Sequence, residues 1–191
     1  MKLLFELLLA MAIAVGSGLG SAWYIVGDGW LLKTDTFGVW GAWPMSGSSD
    51  ADPYTRAVLA RTGQVPLAQG EGTIFFAARD DTGAAIRGGC EYRVVGNTPP
   101  ARLWTLTLID ANADLPRNPS GVTYVRSDRI LRDETGQFVI SISPKARPGN
   151  WLPLQQPGRF TLVLRLYDTP ASFLADLHDG SLPRIEHGSC Q

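Results

Sequence analysis

Cysteine, histidine and charge are all scarce in this chain of 191 residues, which has 2 Cys, 2 His and 18% charged residues. Its 17 Lys plus Arg stand against 18 Asp plus Glu, a net charge of -1. So small a net charge offers no long-range attraction to phosphate backbones, which argues against a nucleic-acid partner. Cys90 and Cys190 lack the paired spacing of a zinc site or redox motif. The GxSxG elbow of a serine nucleophile is missing, and His178 and His187 fall in the C-terminal tail with no serine motif near them. The GxGxG at Gly16 to Gly20 lies inside an apolar run rather than after a strand, so it is no phosphate-cradling loop. There is no internal repeat, and nothing calls for a metal or a cofactor.

What is present begins with one long apolar segment. Residues 3–26 are apolar except for Glu6 and a few small residues, and their helix would reach about 36 Å, more than a bilayer core. Lys2 precedes the segment and Trp23, Tyr24 and Trp30 stand at and just beyond its far end, which predicts a cytoplasmic N-terminus and a domain on the outer, periplasmic side of a bacterial inner membrane. A cleavable signal peptide is the rival reading, because Gly20-Ser21-Ala22 supplies small residues at a possible cleavage site. Apolar character continues past that point through Val26, which favours an uncleaved anchor. Gly16 and Gly20 form a GxxxG pair through which two helices could associate, although small residues are common in any membrane helix.

After an expected connector over residues 27–51, residues 52–191 read as one domain, and about 165 residues beyond the anchor suffice for a sizeable core. Asp52-Pro53 opens a helix as N-cap and first residue, and Gly63 closes it. From Thr73 onward the apolar runs shorten to strand length. Thr73 to Ala78 and Ala85 to Val95 flank the turn cluster Arg79 to Gly83, which predicts a hairpin. Trp104, Leu106 and Leu108 alternate with Thr105 and Thr107; Phe138, Ile140 and Ile142 alternate with serines; Phe160 to Tyr167 alternates over its whole length. A second short helix is expected after Thr169-Pro170, ending before Gly180. The fold class is therefore mainly β, an antiparallel β-sandwich or jelly roll with one or two short helices behind a transmembrane helix. In an oxidising compartment Cys90 and Cys190 would form a disulfide worth roughly 4–5 kcal/mol in the chain-entropy model; two buried thiols are the other reading.

Pro100 to Leu108, Asn118-Pro119, Gly149-Asn150-Trp151-Leu152-Pro153, Phe160 to Tyr167 and Leu182-Pro183 form a spaced set. That set resembles the bacterial domain-of-unknown-function family DUF1214, which occurs alone behind a membrane segment and as the C-terminal half of larger proteins. The resemblance covers most of residues 52–191. It implies a jelly-roll-like β-sandwich and brings no established reaction, so it carries over no catalytic residue.

Among constellations that could carry chemistry, Asp110-x-Asn112-x-Asp114 opens like a calcium loop, but Leu115 and Gly121 stand where that loop needs Gly and Glu. It reads as an acidic turn. Asp80/Asp81 and Asp133/Glu134 read as solvated turns. Thr105, Thr107, Ser141, Ser143, Arg165 and Tyr167 would line one non-core face if their strands are neighbours. Arg165 there either grips a ligand's carboxylate or phosphate or pairs with an Asp or Glu. Asn150 and Trp151 offer an amide and an aromatic platform to a ligand, with Trp151 as a core plug the alternative. The expectation is a binding or accessory module of the cell envelope, whose partner is an envelope protein or a small polar or sugar-like ligand. An envelope hydrolase acting on carbohydrate or lipid, or a purely structural domain, are the alternatives.

Overall fold

The computed structural model describes residues 2–28, 35–43, 47–62, 65–68, 70–170, 173 and 175–190. These fall into two compact units, Met1–Lys33 with Ser49–Val65 and Thr34–Ser48 with Pro66–Gln191.

In the first unit, α1 (Lys2–Asp28) is a helix whose stretch Lys2–Tyr24 has mean hydropathy 2.0. It is long and apolar enough to cross a membrane, a property shared by anchors and signal sequences. Its two serine hydroxyls are satisfied within the helix: Ser17 Oγ donates to the Ala14 carbonyl and Ser21 Oγ to that of Gly18. The short helix α2 (Pro53–Thr62) starts where the cap predicts. Asp52 Oδ1 accepts from the amides of Tyr54 and Thr55, while Oδ2 accepts from the Thr55 hydroxyl at 2.5 Å. That hydroxyl, followed by the Thr55 amide, holds the Asp52 carboxyl below the ordinary value. Arg61, near the end of α2, lies 5.4 Å from the centre of the Trp23 ring. The closing Gly63 lies outside the described residues, as does Trp30.

The second unit is mainly β. Among the described residues ten strands make two sheets: β1 (Asp35–Phe37), β2 (Trp40–Ala42), β3 (Gly72–Ala77), β4 (Cys90–Gly96), β5 (Leu103–Ile109), β6 (Tyr124–Arg126), β7 (Phe138–Ser143), β8 (Asn150–Pro153), β9 (Thr161–Tyr167) and β10 (Arg184–Cys190). The six-stranded sheet has order β1-β2-β3-β9-β5-β6 with every pairing antiparallel. The four-stranded sheet has order β10-β4-β7-β8 and is mixed, because β7 and β8 run parallel. The period-two strands do what their patterns require. Trp104, Leu106, Leu108, Leu162, Leu164 and Leu166 of one sheet meet Tyr92, Phe138, Ile140, Ile142, Leu152 and Ile185 of the other in one buried cluster. Each buried leucine contributes about 2 kcal/mol of transfer free energy to this sandwich-like core.

The expected hairpin of residues 73–78 with 85–95 does not form. β3 pairs with β2 and β9, β4 pairs with β7 and β10, and only the bridge Arg79 to Ala85 survives between the two arms. The reason is burial: Asp80 and Ile86 are both fully enclosed, so the link from β3 passes over the end of the core and delivers β4 to the opposite sheet. Gly88 permits this path, since a Cβ there would lie 1.7 Å from the Gln156 carbonyl oxygen. Part of the expected connector is also strand. Residues 35–42 form the β1–β2 hairpin at the edge of the larger sheet, and the buried Trp40 donates its Nε1–H to the Pro183 carbonyl at 2.7 Å. Residues 171, 172 and 174 of the second expected helix lie outside the described residues.

Cys90 and Cys190 face each other at the end of the β4–β10 ladder and are joined in a disulfide. The C-terminal strand is held on its other side too: Asp81 N donates to the Ile185 carbonyl and Ile185 N to Asp81 Oδ2.

Candidate functional site

The residues singled out in the sequence occupy two places. Thr105, Thr107, Arg165 and Tyr167 lie on the outer face of the six-stranded sheet, where Thr105 is opposite Arg165 and Leu103 is opposite Tyr167. Arg165 Nη1 donates to Thr107 Oγ1 at 3.2 Å, and Thr107 Oγ1 in turn lies 3.4 Å from the Val163 carbonyl. An acidic partner for Arg165, the structural pairing considered above, is not found among the described residues. Ser141 and Ser143 do not join this face, because β7 belongs to the other sheet. Asn150 and Trp151 are on β8, also in that sheet.

The two places approach each other at one end of the sandwich. Tyr124 and Arg126 of β6 sit opposite Thr107 and Thr105, which extends the outer face to the sheet edge. There β6 meets β8 across a cleft of about 350 Å³ whose lining includes Tyr124, Arg126, Arg129, Ile130, Asn150 and Trp151.

Not all of these side chains can serve a ligand. The Asn150 amide is consumed: Oδ1 accepts from Leu131 N at 2.7 Å, and Nδ2 donates to the carbonyls of Leu131 at 2.8 Å and Val139 at 2.9 Å. It acts as a strand-like clamp for the 130–132 segment. Asn150→Ala should therefore cost about 2 kcal/mol in chemical denaturation, because it strands backbone groups, with little effect on any ligand. Arg126 is forked onto Asp128 at 3.0 and 2.7 Å. Trp151 is pinned by its Nε1–H to the Ser143 carbonyl at 3.2 Å, which leaves a half-buried ring in the cleft rather than in the core. Tyr124 is 49% exposed, and the exposed Arg129 has no acidic partner among the described residues. Two aromatic rings and one uncommitted guanidinium are thus what the cleft offers.

A wider depression of about 620 Å³ lies beside Val39, Phe76, Arg79 and Asp81. Its charged groups are already engaged: Arg79 Nη1 donates to the Gly83 carbonyl, Asp80 accepts from Thr82, Ala84 and His187, and Asp81 Oδ2 accepts from Ile185 N.

Sequence reasoning missed Tyr124 and Arg129, since neither joins a motif and only the β5–β6 register brings them to Trp151. It also missed that Asp80, expected in a solvated turn, is fully buried and lies 2.7 Å from His187 Nδ1. The Asp110 loop is the acidic turn expected, with Oδ1 accepting from the amides of Asn112 and Asp114.

The fold has relatives of known structure. A protein from Vibrio parahaemolyticus, VPA0106, superposes with a TM-score of 0.59 at 19% identity, over 73% of this chain and 36% of its own. An uncharacterised protein from Burkholderia cenocepacia matches with a TM-score of 0.46 and 17% identity, over 95% of this chain and 52% of its own. The chain thus spans about a third and a half, respectively, of the lengths of these proteins. The first likeness is one of fold alone. No curated protein matches the chain. Residues 71–171, a span that contains β3 through β9, match the model of a protein family of unknown function, and on that match, over more than half its length, the chain belongs to the DUF1214 family.

Proposed function

We propose that this chain is a membrane-anchored binding module of the bacterial cell envelope, in which α1 spans the inner membrane with its N-terminus in the cytoplasm and the β-sandwich holds a polar, sugar-like ligand on the periplasmic side without turning it over. The observation that carries the binding role is the β6–β8 cleft, where the rings of Tyr124 and Trp151 stand with the unpaired Arg129. Aromatic faces stack on the C–H faces of a sugar ring, and a guanidinium fork suits an acidic or hydroxyl-rich substituent. Lys2 at the start of α1 and Trp23 and Tyr24 near its end support the orientation. A hydrolase of carbohydrate would need two carboxylates facing each other across the site, and Asp128 beside the cleft is committed to Arg126.

The test is thermal unfolding of the full chain in detergent against neutral sugars, sugar acids and peptidoglycan fragments. A bound ligand at a hundred times its dissociation constant should stabilise the sandwich by about 2.7 kcal/mol. The double variant Arg129→Ala/Trp151→Ala should abolish the shift while unfolding as cooperatively as the parent. No shift from any probe, or a shift that survives the double variant, would remove the cleft as the site.

A further inference from the structure

The C-terminal strand carries a second constellation, unrelated to the cleft. His187 Nδ1 lies 2.7 Å from Oδ2 of the fully buried Asp80, and His187 Nε2 lies 3.6 Å from Cys190 Sγ. An ionised carboxylate only accepts, so Nδ1 carries the proton, and in the neutral ring Nε2 keeps its lone pair on the side of the sulfur. Asp80 is in turn fixed by Thr82, whose hydroxyl and amide reach Oδ1 at 2.5 and 2.9 Å, and by the Ala84 amide at 3.1 Å. Orienter, base and sulfur thus stand in series. The two halves of the disulfide are also unequal, since Cys90 is buried and Cys190 is exposed. A structural staple requires neither the inequality nor the base.

The geometry points to a thiol–disulfide exchange site: the Cys90–Cys190 bond is opened by an external dithiol that attacks Cys190, and the His187–Asp80 pair holds the proton of the Cys190 thiol. One thiolate of the dithiol attacks the exposed Cys190 sulfur. The S–S bond breaks, its electron pair leaves on Cys90, and Cys90 takes up one proton as a thiol. The second thiol of the dithiol then attacks its own sulfur in the mixed disulfide and releases Cys190 as a thiolate. The other proton of the dithiol comes to rest on His187 Nε2. The dithiol is oxidised to its disulfide and the protein disulfide is reduced, two electrons and two protons having moved. The product is a thiolate beside an imidazolium, the arrangement that makes a cysteine nucleophilic below the ordinary thiol range.

Other charges around the imidazole are neutralised in pairs. Glu91 of β4 is bound by Arg147, and Glu186 of β10 by Arg93 and Arg184. Tyr92 of β4 meets the imidazole edge-on at 5.4 Å, and burial pushes its phenol up, so it is neutral when the thiol titrates. Asp80 is the acid in direct contact with His187, and its neighbour Asp81 turns Oδ2 to the Ile185 amide instead.

The full chain in detergent is reduced with dithiothreitol and alkylated with iodoacetamide across a pH series, each cysteine being followed by peptide mass. Dithiothreitol is expected to open the bond without unfolding the sandwich. Cys190 is expected to react ahead of Cys90 and, near pH 6.5, about tenfold faster than in His187→Gln. Asp80→Asn should shift the Cys190 pH profile the same way. A wild-type profile that rises only in the ordinary thiol range, equal labelling of both cysteines, or a bond that dithiothreitol opens only on unfolding would each overturn the proposal. The wild-type profile decides the matter even if a variant fails to fold.

Discussion

Replacing Asp80 by alanine should destabilise the sandwich by about 3 kcal/mol at neutral pH, read as a fall in the urea midpoint with an unchanged slope. The carboxylate is fully buried and serves four donors, the amides of Thr82 and Ala84, the Thr82 hydroxyl and the His187 imidazole. Alanine leaves all of them unmet. Water reaches Thr82 and Ala84, which are exposed, so the loss is smaller than four full desolvation penalties. Asp80→Asn keeps an acceptor for the amides and should cost about 1 kcal/mol. The pH dependence has a definite sign. Burial raises the Asp80 carboxyl, but the bonds from Thr82, His187 and the backbone outweigh it and hold the group below its ordinary 3.8. Its contribution is therefore complete above about pH 3.8 and is lost as pH falls through the lower, folded-state value. The gap between parent and Asp80→Asn should close across that same acid window, and a gap that stayed constant would show that the charge is immaterial.

Trp104→Ala should cost about 4 kcal/mol, the range for emptying a fully enclosed aromatic site. The ring is completely buried and packs on Phe138 at 4.9 Å between centres. A finer comparison isolates one hydrogen bond. Trp104 Nε1 finds no acceptor among the described residues, whereas Trp40 Nε1, equally buried, bonds the Pro183 carbonyl. Phenylalanine removes the same volume at both positions but strands the carbonyl only at Trp40. Trp40→Phe should therefore be worse than Trp104→Phe by about 1 kcal/mol in matched denaturation curves. Equal costs would mean that the Trp40 bond contributes nothing beyond packing.

Much of this architecture was readable in residue order. The alternation in β5, β7 and β9 marks which side chains face the core, because a pleated strand has a period of two and one buried face. The cap at Asp52 identified α2, and the long apolar run identified α1. What the order of residues does not carry is which strand lies beside which. Arg79 to Gly83 has good turn chemistry and does turn, yet its arms go to different sheets because Asp80 and Ile86 are drawn inside. An aspartate beside another aspartate, in a turn that ends on Gly83, looks solvated. Only its distant partner His187, 107 positions later, explains its burial. The candidate cleft was half visible for the same reason. Trp151 stands out by type, while Tyr124 and Arg129 become relevant only when the short β6 edge is placed against β5 and near β8.

The cross-link between Cys90 and Cys190, 100 positions apart, turns the chain from β4 to β10 into a covalent ring that draws strands from both sheets, with β1, β2 and β3 outside it. A single backbone cut inside that ring does not divide the molecule. The two pieces stay tethered, so their re-pairing is an intramolecular event governed by loop closure, at an effective concentration of the order of millimolar however dilute the protein. The exposed loops between β5 and β6 and between β7 and β8 lie within the ring, so the oxidised sandwich can be nicked there and still reassemble as one body.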